Sequence, residues 1–320
     1  MATPAVISWL LDSDPAIRWQ VLRDLTDASA DEVADVRARV ATEGMGARLL
    51  ALQGGDGTWG GVAWNHGWDS TMHALTLLRE MGLDPAGTAA RRALGLVQER
   101  VTWRGCGPEE TEANGFFAGE TEPCINGQVA AAGAYFVQDV AGLMDRLVSE
   151  QLRDGGWNCE APHSLRASFN TTICVLEALL AYERDQARLG RDVPAVTAVR
   201  LRGQEYLLER RLMRRRSTGE LIVCDRKGGA AWTSFAFPTW WHYDVLRALE
   251  YLRSAGVAPD ERVAEAIGVL RAKQDGEGRW SLATSHPGRL PVELDAGQGQ
   301  PSRWNTLRAL RVLAWYDGRA

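Results

Sequence analysis

One phrase occurs three times in this chain: Gln53-Gly-Gly-Asp56-Gly57-Thr-Trp59, Gln151-Leu-Arg-Asp154-Gly155-Gly-Trp157 and Gln274-Asp-Gly-Glu277-Gly278-Arg-Trp280. Its spacing is constant: Gln, two residues, an acid, Gly, one residue, Trp. Each copy follows a helix-patterned run and precedes a loop and a second helix. A repeat of this kind sets the architecture before any other feature is considered. The physical reading is a helix that stops at the Gln. An acid-Gly turn follows, in which Gly takes a positive φ, and a Trp folds back over the turn. The Gln amide is suited to donate to an orphan carbonyl at the helix end. Its carbonyl, or the acid, is suited to the N–H groups of the next helix.

The intervening sequence divides into alternating outer and inner helical segments. Outer segments are expected at 4–11, 31–53 (broken at Gly44-Met45-Gly46), 85–100, 139–151, 193–212 and 259–274. Inner segments are expected at about 15–25, from Asp69, at 124–136, 168–183, 240–253 and 302–316. Residues 98–103 look like a decayed copy of the repeated turn. The basic run 210–216 reads as a solvated helix end, where cations suit the dipole. Strand signals are negligible. Loops leading from outer to inner helices are long, and one carries Glu109, Glu110, Glu112, Glu120 and Glu122. Most returning connections are short. Function concentrates on long loops held by a rigid scaffold, and helix N-termini there suit an anion.

Composition narrows the class. Of 320 residues, 45% are apolar and 24% charged, and the net charge is −5, which speaks against a nucleic-acid surface. No run approaches the ~18 apolar residues of a membrane span. The N-terminus, Met-Ala-Thr-Pro-Ala-Val, lacks the basic and apolar regions of a signal peptide. Five cysteines without regular spacing do not suggest a disulfide framework. A reduced, cytoplasmic protein is expected.

The repeated phrase resembles the Gln-Trp repeat of the squalene cyclase and protein prenyltransferase superfamily. That resemblance implies an all-α (α/α)6 toroid, with six inner and six outer helices in one domain over 1–320. Each Gln-Trp turn would lead into an inner helix lining a central cavity. The residues that open the inner helices are then the candidate site: Arg18, Trp68, Asp69, Glu122, Cys124, Asn126, Phe169, Asn170, Trp241, His242, Asp244, Arg303, Trp304 and Asn305. Aromatics mixed with a few polar groups suit an apolar ligand with one polar anchor. For Asp69, Asn170 and Asn305, helix capping is an equal reading.

The chemistry stays open among three classes. As a terpenoid cyclase, of isomerase or lyase type, the chain would protonate an alkene. The Asp-x-Asp-Asp motif of such enzymes is absent, since Asp12-Ser-Asp14 lacks the adjacent pair, and so is the Asp-Cys-Thr-Ala-Glu form. A lone acid, Asp69, Asp244 or Glu122, would serve instead, with aromatics stabilising the cation and Arg18 or Arg303 anchoring a head group. The ligand would be an isoprenoid, its diphosphate, or a similarly apolar small molecule. Prenyltransferase β subunits offer a second resemblance, an Asp-x-Cys at one inner-helix start and a later His that together hold zinc. It maps onto Glu122, Cys124 and His242, with Asp69 or Asp244 as substitutes for Glu122. The third class is a non-catalytic binding or interaction module. A lanthionine-synthetase-type site would need an adjacent Cys-His pair, which is absent. A glycosidase would use spaced carboxylates such as Glu293 and Asp295 with Asp69 or Asp244.

Overall fold

A computed structural model describes residues 3–103, 114–224 and 231–318. Glu109, Glu110 and Glu112 lie outside the described residues. The protein is predominantly helical. In chain order the helices are α1 (Pro4–Leu11), α2 (Pro15–Leu25), α3 (Ala30–Ala38), α4 (Gly44–Ala51), α5 (Thr71–Met81), α6 (Thr88–Arg100), α7 (Pro123–Tyr135), α8 (Ala141–Ser149), α9 (Phe169–Arg188), α10 (Pro194–Leu208), α11 (Val245–Ser254), α12 (Ala264–Ala272) and α13 (Arg303–Tyr316). None of the described helices is long and apolar enough to cross a membrane.

Caps explain where several helices begin. Pro15 opens α2 behind Asp14, whose carboxylate accepts from Ala16 N–H at 2.9 Å and Met45 N–H at 2.7 Å. Asp244 caps α11, and Ser302 caps α13 through a bond from Asn305 N–H. The expected inner helix at 240–253 therefore starts later, because Asp244 holds the residues before it outside the helix. Trp240 has a positive φ of 51°. The element expected at 31–53 breaks at a 3₁₀ turn over Arg39–Ala41 and not at Gly44-Met45-Gly46, which opens α4. Two expectations are corrected. Residues 102–103 are not a decayed turn but pair with 114–115 as a short antiparallel ladder, and the Trp103 indole donates to Phe116 O. The run 210–216 is not a continued helix end. Arg211 and Leu212 take positive φ, and Leu212 and Met213 are buried.

The chain forms two compact units. Unit 1 comprises residues 1–45, 207–287 and 293–320; unit 2 comprises 46–206 and 288–292. Within unit 1, α13 packs on α11 and α2, while α1 and α3 lie on α2 and α12 on α11. Within unit 2, α7 packs on α5 and α9, with α8 against α7. Helix α7 is buried on nearly every face, which suits its run of Ala and Gly. Its contact with α9 depends on Gly127, because a Cβ there would sit 2.7 Å from the backbone carbonyl of Cys174.

The three repeated turns share one construction. The indole N–H of Trp59, Trp157 and Trp280 donates to the carbonyl of Leu49, Leu147 and Leu270, at 2.7, 2.7 and 2.8 Å. The same three residues donate their backbone N–H to Thr71, Thr172 and Thr306 on the helices that follow, at 3.2, 3.0 and 3.0 Å. Each Trp thus ties the helix before the turn to the helix after it. Gly57, Gly155 and Gly278 have φ of 83°, 97° and 83°, as the turn requires. The Gln amide works differently from expectation. Gln53 Nε2 donates to Gly57 O and to Ala93 O in α6; Gln151 Nε2 donates to Gly155 O and to Val199 O in α10. In these two copies it clamps its own turn to a later helix, α6 or α10. In the third copy the turn-stabilising carboxylate is Asp275, which accepts from the N–H groups of Glu277 and Arg279, while Glu277 pairs with Arg279.

Candidate functional site

In unit 1, candidate residues converge where α11 and α13 begin. The segment 235–237 runs between the two helix starts and is held from both sides. Asp244 Oδ2 accepts from Ala236 N–H at 3.2 Å, and Asn305 Nδ2 donates to Phe235 O at 3.2 Å. Arg308 donates to Ala236 O and to Asn305 Oδ1, both at 3.1 Å. The Phe237 ring then lies flat on Trp304, with centroids 4.3 Å apart. The indole nitrogen of Trp304 is buried without a hydrogen-bond partner among the described residues. Asn305 is thus inside α13 rather than capping it.

Charge in this corner is dominated by burial. Asp244 is 3% exposed, and desolvation pushes its carboxyl above the ordinary value against the pull of Arg308 and of the N–H groups it accepts from. Arg247, beside it, donates to the carbonyls of Trp240 and His242, both at 2.8 Å. Trp241, His242 and His286 form a stack with centroid spacings of 3.7 and 3.6 Å. Burial lowers His242 to about 3 and His286 to about 4, and Arg247 adds to both, so both imidazoles are neutral at neutral pH. Burial also raises Asp295 to about 6, although it accepts from the Ser302 hydroxyl at 2.5 Å and Arg303 N–H at 3.0 Å.

The two arginines differ. Arg303 donates to the carbonyls of Trp9 and Asp12 and lies 4.8 Å over the Trp9 ring, so it joins α13 to α1. Arg18 is half-buried on α2, and its Nε has no partner among the described residues.

Unit 2 holds the remaining candidates. Asp69 accepts from Asn65 Nδ2 at 2.7 Å. Trp68, with a positive φ of 68°, meets His73 edge-on at 5.1 Å, and the His73 ring bonds to Ser70 at 2.8 Å. A left-handed bulky residue is uncommon, and such strain gathers at functional sites. Phe169 opens α9 against Tyr206, at 5.3 Å, and Asn170 beside it is buried. Asn126 is fully buried. Its amide bonds both ways to the backbone of Glu120, at 2.8 and 2.9 Å, which makes it a brace for the loop before α7.

That loop presents a cluster of metal-binding type. Glu122, Cys124 and Cys159 place one carboxylate oxygen and two sulfurs within 4.8 Å of one another, and Cys124 Sγ is 3.7 Å from Glu122 Oε2. A hydrogen bond with Cys159, together with burial, pushes the Cys124 thiol well above its ordinary value. The sequence reading brought Glu122 and Cys124 together but passed over Cys159, which lies in the loop after the second Gln-Trp turn. His286 was likewise missed, because its stacking partner is remote in sequence.

The pH response of unit 1 follows from these shifts. Asp295 has a raised value in the folded state. Its contribution is complete below about pH 4 and is lost as pH rises through about 6. His242 and His286 have lowered values. Their contribution is complete above about 6.5 and is lost as pH falls through about 4 and about 3. Between pH 6.5 and 4 the two effects oppose. We expect Asp295→Asn to steepen the acid loss of stability and His286→Gln to flatten it, each by no more than ~1.4 kcal/mol per pH unit. Urea unfolding at stepped pH measures both slopes.

No protein-family model matches the chain, and no curated protein does. Among solved structures it is similar to type II terpene cyclase MstE from Scytonema. With an arginine-to-alanine variant in complex with geranylgeranyl dihydroxybenzoate, the TM-score is 0.45 at 18% identity, covering 96% of this chain and 87% of that one. With the apo enzyme, the TM-score is 0.42 at 18% identity, covering 100% of this chain and 92% of that one.

Proposed function

We propose that this chain binds an isoprenoid or similarly apolar small molecule in a cavity lined by its inner-helix openings, and that it transforms the ligand by proton transfer from Asp244. The alternating helices and Gln-Trp turns are taken as one (α/α)6 ring over the whole chain. The observation that carries the chemistry is Asp244 itself. It is a carboxyl at the mouth of α11, almost wholly buried and raised above its ordinary value, and it shares the 235–237 segment with the stacked Phe237 and Trp304. A buried acid held above its ordinary value by desolvation, beside aromatic faces that stabilise cationic charge, is the equipment for protonating an alkene. Asp69 and Glu122 lack that burial. His242, lowered to about 3 and so neutral, is not the proton donor. Arg303 is engaged with α1, so Arg18 is the cation assigned to a polar head group.

The test is Asp244→Asn, which keeps an oxygen to cap α11. Turnover of a polyprene or prenyl diphosphate found by screening should fall by ~10²-fold or more, with ligand affinity retained. Unchanged turnover at matched folding would remove Asp244 from the chemistry. Absence of isoprenoid binding by the wild type would remove the reading altogether.

A further inference from the structure

We propose that Glu122, Cys124 and Cys159 form a binding site for zinc. The inference stands apart from the isoprenoid reading and differs from the zinc set suggested by resemblance. Here the third donor is a second cysteine of unit 2, whereas His242 belongs to unit 1 and is stacked between Trp241 and His286.

The donor set suits the ion. Two thiolates and a carboxylate are zinc ligands, and three protein ligands leave a fourth position for water or substrate. Zn–S and Zn–O bonds of about 2.3 and 2.0 Å in a tetrahedron separate ligand atoms by roughly 3.5–3.8 Å. The Cys124 Sγ to Glu122 Oε2 separation is 3.7 Å, and all three donor atoms fall within 4.8 Å of one another. Small side-chain adjustments therefore complete the site. Binding would release the two thiol protons to solvent.

The scaffold brings these residues together by construction. Glu122 is the N-cap residue of α7, Pro123 begins the helix, and Cys124 follows in the same turn. Cys159 arrives on a loop fixed to α9: Trp157 N–H donates to Thr172 Oγ1 at 3.0 Å, and the Cys159 backbone and sulfur both meet Thr171 Oγ1 at 3.4 Å. The close approach of α7 to α9 at Gly127 sets the distance between the two strands of chain. Cys124 is buried, Cys159 half-buried and Glu122 exposed, so the site is reachable from solvent on one side.

Protein purified with a phosphine reductant and no chelator would be assayed for metal by mass spectrometry. It would then be titrated with Co²⁺ and followed by thiolate-to-cobalt charge-transfer absorption. About one zinc per chain is expected, with a charge-transfer band in the cobalt form. Cys124→Ser and Cys159→Ser should each lower metal affinity by more than ~10-fold, and Glu122→Gln, a milder change at an exposed side chain, should shift the cobalt spectrum. His242→Ala should keep wild-type affinity. Circular dichroism confirms that each variant is folded. Three results would overturn the proposal: reduced thiols that bind neither metal, Cys159→Ser with unchanged affinity, or loss of metal in His242→Ala.

Discussion

Replacing Trp157 or Trp280 with Ala is expected to destabilise the protein by about 4 kcal/mol, within the ~3–5 kcal/mol range of a fully buried large aromatic. Both residues are 0% exposed. Each also carries two hydrogen bonds across a helix junction. Only the indole bond is lost on truncation, since the backbone N–H to Thr172 or Thr306 survives. The two contributions separate by a milder change. Trp157→Phe keeps most of the buried ring but leaves the Leu147 carbonyl without its indole donor, which should cost ~1–3 kcal/mol. Thr172→Val removes the acceptor of the Trp157 N–H at similar shape and should cost a comparable amount. Urea titration decides, provided the midpoint moves while the slope does not. An Ala variant that loses less than ~1 kcal/mol would mean the turn is decoration rather than a fixing point of the fold.

These turns were legible in the sequence because the residues that shape them are local, although the Gln amide also reaches Ala93 O or Val199 O in a later helix. The Gln, the acid, the Gly and the Trp lie within one phrase, and the carbonyl that the Trp reaches is in the helix just before it. The helix pattern was legible for the same reason, with errors where a tertiary bond shifted a boundary. Asp244, for instance, bonds both Ala236 and Arg247 and so delays α11. What sequence reasoning missed is non-local. Nothing near Cys159 announces that α7 and α9 close on Gly127 and bring Cys124 to it. Nothing near His286 points to His242. Asn126 and Asn305 looked like ligand contacts because a polar residue at a helix opening has no visible partner in sequence. Their partners are backbone groups of loops reached only after folding. Residue type identified chemical capacity; packing decided which capacities are already taken.

Arg311→Met is expected to cost about 3–5 kcal/mol, the usual penalty for stranding the partners of a buried ion group. Arg311 is 7% exposed on α13 and joins that helix to α2 and α11 within unit 1. It donates to Gln20 at 2.7 Å and pairs with Asp24 at 2.6 Å, on and near the end of α2, and it reaches Glu250 on α11 at 3.7 Å. Burial alone would raise Asp24, yet Arg23 and Arg311 together hold it below its ordinary value. Arg311 thus helps, after Arg23, to favour the charged form of this carboxylate. Its linkage has the opposite sign to that of Asp295. With a lowered folded-state value, its contribution is complete above about pH 4 and is lost as pH falls through that value. Arg311→Met should weaken that acid transition as well as the stability at neutral pH. The decisive comparison adds Asp24→Asn and Glu250→Gln to Arg311→Met. If the penalty comes from uncompensated charge, the triple variant recovers most of the loss, because removing a whole buried ionic set is often neutral. If it comes from lost packing around the guanidinium stem, the triple variant stays as unstable as the single one, and the network counts as ordinary core.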